Sequence, residues 1–448
     1  MAASTRLTLI AAILGSAMVF VDGTVVNVAL PPIQHDLGGG LAAQQWIVDA
    51  YLLTLGSLIL VGGSLGDIYG EVRIFRLGVV AFGLTSVLCA VAPTSNTLII
   101  FRGLQGIAGA LLTPASLAII TSTFSGTERG AAIGSWTAFS GISTVLGPLV
   151  GGWLIGVSTW RVIFFINVPI AIATIMVTMR MAQHETRREG VRVDLVGAAL
   201  CVAGLGAVVF GFIEQPRHGW DATILACLLG GAALLGSFVV WEMHARQPML
   251  ELRLFRLRNF SVTNLETLAV YGGLSACFFF LVLFLQQIAG YSPFRAGLAT
   301  LPVTIVMFLL SRYVGKYSMQ YGPRWFMGFG PLIAGLSIAL LARLPEHLNY
   351  WKDLLPPLVG FSLGLSLTVA PLTTTVLSDA GPGDAGIASG INNAVARVAG
   401  LIAIAVIGIA ASGGTAGLTM HGFHLAMLLT AVLMCIGGAI GAALIRNP

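Results

Sequence analysis

The chain has 448 residues, of which 56% are hydrophobic and 9% charged, with a mean hydropathy of +0.92. A soluble domain carries about 25% charged residues, so this composition excludes a water-soluble enzyme or binding domain. The net charge of +5 and the pI near 9.1 need no nucleic-acid partner, because the basic residues sit between apolar runs.

A run of about 20 apolar residues matches the ~30 Å hydrocarbon core of a bilayer. Inside lipid a helix satisfies every backbone polar group within its own segment. Fourteen such helices are predicted. The first six are Leu7–Leu30, Gln44–Leu65, Ile74–Ala92, Leu98–Ile120, Gly130–Val157 and Val162–Met181. Two more follow at Leu195–Ile213 and Ala222–Trp241. The last six are Ser261–Ile288, Ala296–Ser311, Trp325–Leu344, Leu354–Leu377, Gly386–Ala411 and Phe423–Ile445. The first run is too long for a cleaved signal peptide and no small-residue cleavage site closes it.

An even number of spans puts both termini on one side. With that side cytoplasmic, the outer loops hold five basic residues, Arg161, Arg217, Arg295, Arg343 and Lys352. Arg102 and Arg397 lie within spans, and the remaining sixteen of the 23 Lys and Arg face the cytoplasm. That bias sets the orientation by the positive-inside rule and lays the inner face against anionic lipid. The five cysteines fall in five different spans with no metal or redox spacing. They read as packing residues. His421 and His424 have no acid or cysteine nearby to complete a site.

The chain echoes itself. Gly63-Ser-Leu-Gly-Asp67-Ile-Tyr69-Gly70 follows the second span, and Gly315-Lys-Tyr-Ser-Met-Gln-Tyr321-Gly322 follows the tenth. An arginine comes shortly after each, Arg73 and Arg324. Gly130 and Gly134 are matched by Gly386 and Gly390. The expected architecture is all-α and polytopic, with a six-helix bundle over 1–181 and another over 261–448. Between them, 182–260 is a linker with two extra transmembrane helices, flanked by the basic loops 182–194 and 242–260. Paired halves around a cavity are a transporter arrangement.

Ionisable residues within spans are costly, about 2.5–3.5 kcal/mol each at mid-membrane, and usually functional. Asp22 lies deep in the first span, Asp49 near the outer end of the second and Glu266 in the ninth. A carboxyl group removed from water is suited to carrying a proton. The bland alternatives are a structural hydrogen bond for Asp22 and a snorkelling helix end for Asp49. Arg102 and Arg397 stay charged and would either adjust a neighbouring acid or act as structural clamps. The segment Gly63–Arg73 reads as a short gating loop in which Asp67 caps the next helix; a plain hydrophilic turn is the alternative. Gly147-Pro148-Leu-Val-Gly151-Gly152 reads as a kinked, closely packing helix on which the halves could rock.

Together these segments resemble the fourteen-span drug:proton antiporters of the major facilitator superfamily. The resemblance rests on Asp22–Pro31, on Gly63-x-Leu65-x-Asp67-x-x-Gly70 and on Arg102-x-x-Gln105-Gly106. Further matches are Gly147-Pro148-x-x-Gly151-Gly152, Trp160–Pro169 and Leu285–Pro302. It departs at Ile68 and Glu71, where the loop motif usually has arginine, so Arg73 is expected to take over part of an inner charge relay. Ser143 stands where the fifth-span motif often has glycine. Trp46-Ile-Val-Asp49 is similar to an acidic variant found in some exporters of cationic drugs.

The reading and the resemblance together imply a proton-coupled exporter of small amphipathic, cationic compounds, acting as a monomer in the cytoplasmic membrane. The implied proton-coupling and substrate set is Asp22, Asn27, Asp49, Arg102, Gln105, Glu266 and Arg397. The implied gating set is Gly63, Asp67, Gly70, Arg73, Gly147, Pro148, Gly151 and Gly152. No cofactor, metal or ATP site is expected, since no Gly-x-x-x-x-Gly-Lys-Ser/Thr stretch occurs. An exporter of an endogenous metabolite, antibiotic or lipid-like molecule would share every motif. A non-transporting membrane receptor is the alternative of another class.

Overall fold

A computed structural model describes residues 3–181, 193–412 and 417–447. Among them are fourteen α-helices and no strand. They are α1 (Ala3–Leu37), α2 (Gly40–Tyr69), α3 (Glu71–Ala90), α4 (Ser95–Thr123), α5 (Gly126–Val157), α6 (Val162–Phe165) and α7 (Asn167–Met179). Then come α8 (Leu195–His218), α9 (Ala222–His244), α10 (Arg258–Gln287), α11 (Pro293–Tyr321), α12 (Pro323–Leu341), α13 (Leu355–Ser412) and α14 (Met420–Leu444). Thirteen stretches among the described residues are long and apolar enough to cross a bilayer, and α5 adds the shorter apolar run Leu146–Val157. The predicted basic loop 182–194 lies outside the described residues as far as position 192.

Polar side chains start several helices. Thr94, Ser292 and Thr419 accept from the backbone N–H of Thr97, Arg295 and Gly422. Asp379 of α13 accepts from the N–H of Phe260 at 2.8 Å and so caps α10 from another helix.

Four boundaries differ from the sequence expectation. The segment Gly63–Arg73 is not a loop: α2 continues through Tyr69, and Gly70 alone, at φ 96° and ψ 130°, turns the chain into α3. Asp67 is therefore inside α2, and the N-cap of α3 is Gly70, with no side-chain cap. The tenth span does not stop at Ser311, because α11 runs on to Tyr321. Its basic residues Arg312 and Lys316 are exposed and lie within the helix, not past its end. The spans Leu354–Leu377 and Gly386–Ala411 are joined through continuous helix in α13, with no loop between them. The sixth span is broken at Ile166 into α6 and α7.

The chain divides into two compact units, residues 1–206 with 233–249, and residues 207–232 with 250–448. In the first, α4 lies on α2 so closely that a methyl group on Gly106 would fall 2.1 Å from Thr54 Oγ1. The unit's part of α8 rests on α2, with the Cys201 thiol in reach of Ser57 and Gly206 facing Leu53. In the second, α13 and α14 pack on α10, and α12 packs on α13 and α14. Its last residues are pinned: Asn259 accepts from the Arg446 N–H and donates to the Arg446 carbonyl, both at 3.0 Å.

The echo seen in the sequence has a backbone counterpart. Gly322, at φ 84° and ψ 151°, is the sole link between α11 and α12, as Gly70 is between α2 and α3. Both lie where a side chain would be strained.

Candidate functional site

Asp22 and Arg102 meet in the interior of the first unit. Asp22 is fully buried and Arg102 is 1% exposed. Arg102 Nη1 donates to Asp22 Oδ2 at 2.5 Å and to Gln105 Oε1 at 2.7 Å. Its Nε donates to the Ile47 carbonyl at 3.1 Å. The other Asp22 oxygen, Oδ1, accepts from Gln105 Nε2 at 2.9 Å and from Asn167 Nδ2 at 3.2 Å. Both amides also donate to Ser86 Oγ. The guanidinium lies over the Tyr51 ring, 4.3 Å from its centroid, a cation–π contact that holds the charge in place.

Five elements thus converge on one ion pair: α1, α2, α3, α4 and α7. The spacing of Arg102 and Gln105, three apart on α4, puts both on one face of that helix. The sequence reading had Asp22, Arg102 and Gln105. It gave no role to Asn167, Ser86 or Tyr51. Asn167 carries a usable signal, an amide inside an apolar run. Ser86 and Tyr51 carry none, because such residues are common in membrane helices.

The other predicted residues fall elsewhere. Asp49 does not snorkel at a helix end: it is fully buried within α2, and neither carboxylate oxygen has a hydrogen-bond partner among the described residues. Asn27 is half-buried on α1, outside the Asp22 network. Glu266 is fully buried on α10 in the second unit. Arg397 is half-buried on α13, within electrostatic reach of Tyr271.

The glycine cluster of α5 packs against α1. A methyl group on Gly147 would meet Thr24 Oγ1 at 2.2 Å, and one on Gly151 would meet Val25 Cγ2 at 2.1 Å. These contacts flank Asp22 on its own helix, while Pro148 and Gly152 lie in the same stretch of α5. Gly63 is helical, with Pro114 Cβ 3.8 Å from where its side chain would be. Arg73, expected to join a charge relay, is exposed. Arg76 ties α3 to the end of α7 instead, donating to the carbonyl and the hydroxyl of Thr178. Glu71 accepts from Ser122 Oγ at 2.7 Å.

No group of three or more metal-ligating side chains occurs among the described residues. The family model for the Major Facilitator Superfamily matches residues 12–404. The multidrug resistance protein Stp of Mycobacterium tuberculosis is 33% identical, over 90% of this chain and 75% of its own. The cephamycin export protein CmcT of Amycolatopsis lactamdurans is 34% identical, over 89% of this chain and 84% of its own. Among solved structures, a bacterial homologue of the human lysosomal transporter Spinster superposes with a TM-score of 0.69. It is 18% identical, and the match spans 99% of this chain and 97% of that one.

Proposed function

From the premise that this chain belongs to the Major Facilitator Superfamily, and so is a multi-pass membrane transporter and not an enzyme, we propose proton-coupled efflux of small amphipathic compounds. The observation that carries the reading is the buried ion pair of Asp22 and Arg102, with every Asp22 oxygen engaged. In the paired state Asp22 accepts from three donors. A proton arriving on Asp22 removes its charge, loosens Arg102 and leaves the Gln105 and Asn167 amides to find new partners. Because α5 is locked to α1 beside Asp22, that change is delivered to a second helix of the unit. Substrate leaving and proton entering are then alternative ways of satisfying the same cluster.

Asp49 is the proposed contact for the positive group of a cationic substrate, since its carboxylate oxygens have no hydrogen-bond partner among the described residues to displace. Reaching it requires helices to part. Asn27 is a further proposed polar contact of the first unit and Arg397 one of the second, where Glu266 is a second candidate for the proton. Gly63, Asp67, Gly70 and Arg73 remain the proposed gating set beside the α5 glycines. Both termini are proposed to be cytoplasmic, and the transporter to be a monomer. Export of an antibiotic or other metabolite is a second reading, favoured by a relative named for cephamycin export.

Purified protein in liposomes tests the coupling. Asp22→Asn keeps the side-chain shape and is expected to insert, to bind substrate and to lose transport driven by a proton gradient. Substrate-triggered proton release should vanish with it. Full gradient-driven transport by Asp22→Asn, at matched protein level, would remove Asp22 from the mechanism. A compound panel that includes cationic drugs and acidic antibiotics separates the two substrate readings.

A further inference from the structure

Pro331 lies inside α12. A proline has no N–H, so the carbonyl four residues earlier, that of Met327, lacks the donor a helix would normally give it. This carbonyl faces Gly441 of α14. A methyl group on Gly441 would lie 2.6 Å from the Met327 oxygen and 2.8 Å from Glu266 Oε2. Glu266 comes from α10, is fully buried, and neither of its oxygens has a hydrogen-bond partner among the described residues. Three helices therefore bring a carboxyl group and a carbonyl to one notch, kept open by a glycine.

We propose that this notch is a proton-binding site in which the protonated Glu266 carboxyl donates to the Met327 carbonyl and latches α10 to α12 under α14. A carboxylate and a carbonyl are both acceptors. Held together away from water they are unfavourable, and a single hydrogen between them turns the contact into a bond. When the proton leaves, the latch opens. The ionisable groups on the surrounding helices are engaged elsewhere. On α10, Arg258 donates to the Leu444 carbonyl and Tyr271 lies towards Arg397 of α13. On α12, Arg324 donates to the Ala442 carbonyl at 2.7 Å. On α13, Asp379 caps α10. On α14, Cys435 packs at Gly335, and His424 bonds the Leu344 carbonyl at the far end, beside His421. Arg446, beyond α14, is held through its backbone by Asn259. The site goes beyond the proposed coupling at Asp22 and stands whether or not that acid carries the transported proton.

The test is a proton count on detergent-purified full-length protein in an Asp22→Asn background, with and without Glu266→Gln. Over the pH range in which the protein stays folded, Glu266→Gln is expected to remove about one titrating proton per molecule, together with the infrared band of one protonated carboxyl. Its amide can donate to Met327 permanently. Thermal stability, expected to fall as pH rises with Glu266 present, should then fall less steeply across that range. Pro331→Ala returns an N–H to the Met327 carbonyl. It is expected to move the Glu266 titration by about one unit towards acid, and it decides the matter if Glu266→Gln fails to fold. An unchanged proton count in Glu266→Gln overturns the site. An unmoved titration in Pro331→Ala overturns Met327 as its partner. A response to sodium concentration in place of pH makes the notch a metal-cation site and overturns the proton. Coupling at Asp22 is read separately, from substrate-triggered proton release.

Discussion

Asp22 of α1 and Glu266 of α10 are both fully buried carboxyl groups on the first full span of their units. Asp22 accepts three hydrogen bonds and faces a fixed cation, whereas neither Glu266 oxygen has a hydrogen-bond partner among the described residues. The two sites show two ways of keeping an acid inside a membrane protein. One compensates the charge with an arginine and two amides. The other leaves space in which only the hydrogen-bearing form of the acid makes a bond. Removing the acid should therefore have different costs in the two units. In the first it strands Arg102; in the second it strands nothing charged.

The largest effect expected on stability comes from breaking the first site unevenly. Arg102→Ala leaves Asp22 buried and uncompensated, a loss of about 3–5 kcal/mol, seen as a collapse of folded protein in detergent. Adding Asp22→Asn to Arg102→Ala should recover much of that loss without restoring coupling. A double variant no better folded than the single one would contradict the ion-pair account. Next comes Arg76→Gln, which removes the clamp on Thr178 and should cost about 1.5–3 kcal/mol. Arg73→Gln should stay within about 0.5 kcal/mol. Equal effects at the two positions would return Arg73 to the relay. Gly147→Ala drives a methyl group onto Thr24 and should cost about 1–3 kcal/mol, with slowed transport by whatever folds. The smallest effect on stability is expected for Asp49→Asn, which discards a carboxylate without partners. Its melting temperature should be unchanged or higher, while export of the most highly charged cations falls and that of neutral compounds does not. Uniform loss across all substrates would instead make Asp49 part of the coupling.

Much of the helix pattern was legible because apolar runs and bilayer thickness are the same constraint expressed twice. The errors lie where polarity and helix ends part company. The predicted tenth span stops at Ser311, before Arg312 and Lys316, yet a helix can continue past an apolar run with its basic side chains in water. The glycines between Gly63 and Gly70 suggested a loop, but in lipid most glycines serve close packing, and only Gly70 turns the chain. Within the site, Asp22, Arg102 and Gln105 stood out as polar residues in apolar runs. Ser86 and Tyr51 did not, because their role depends on α2, α3 and α4 meeting. The same holds for Glu266: the acid is visible, but its surroundings come from Pro331 and Gly441, far along the chain. Pro331 sits within the predicted span Trp325–Leu344, and the carbonyl it frees becomes meaningful once α14 is in place.

The one-residue joints at Gly70 and Gly322 also bear on how the chain is made. With no slack between α2 and α3, or between α11 and α12, neither member of a pair can wait in water while the other settles in lipid. Each pair should leave the ribosome and enter the bilayer as a preformed hairpin. Lengthening either joint by a few flexible residues should let the second helix lag during synthesis, and a pulse-chase measurement of insertion would register the delay before any change in the finished transporter is seen.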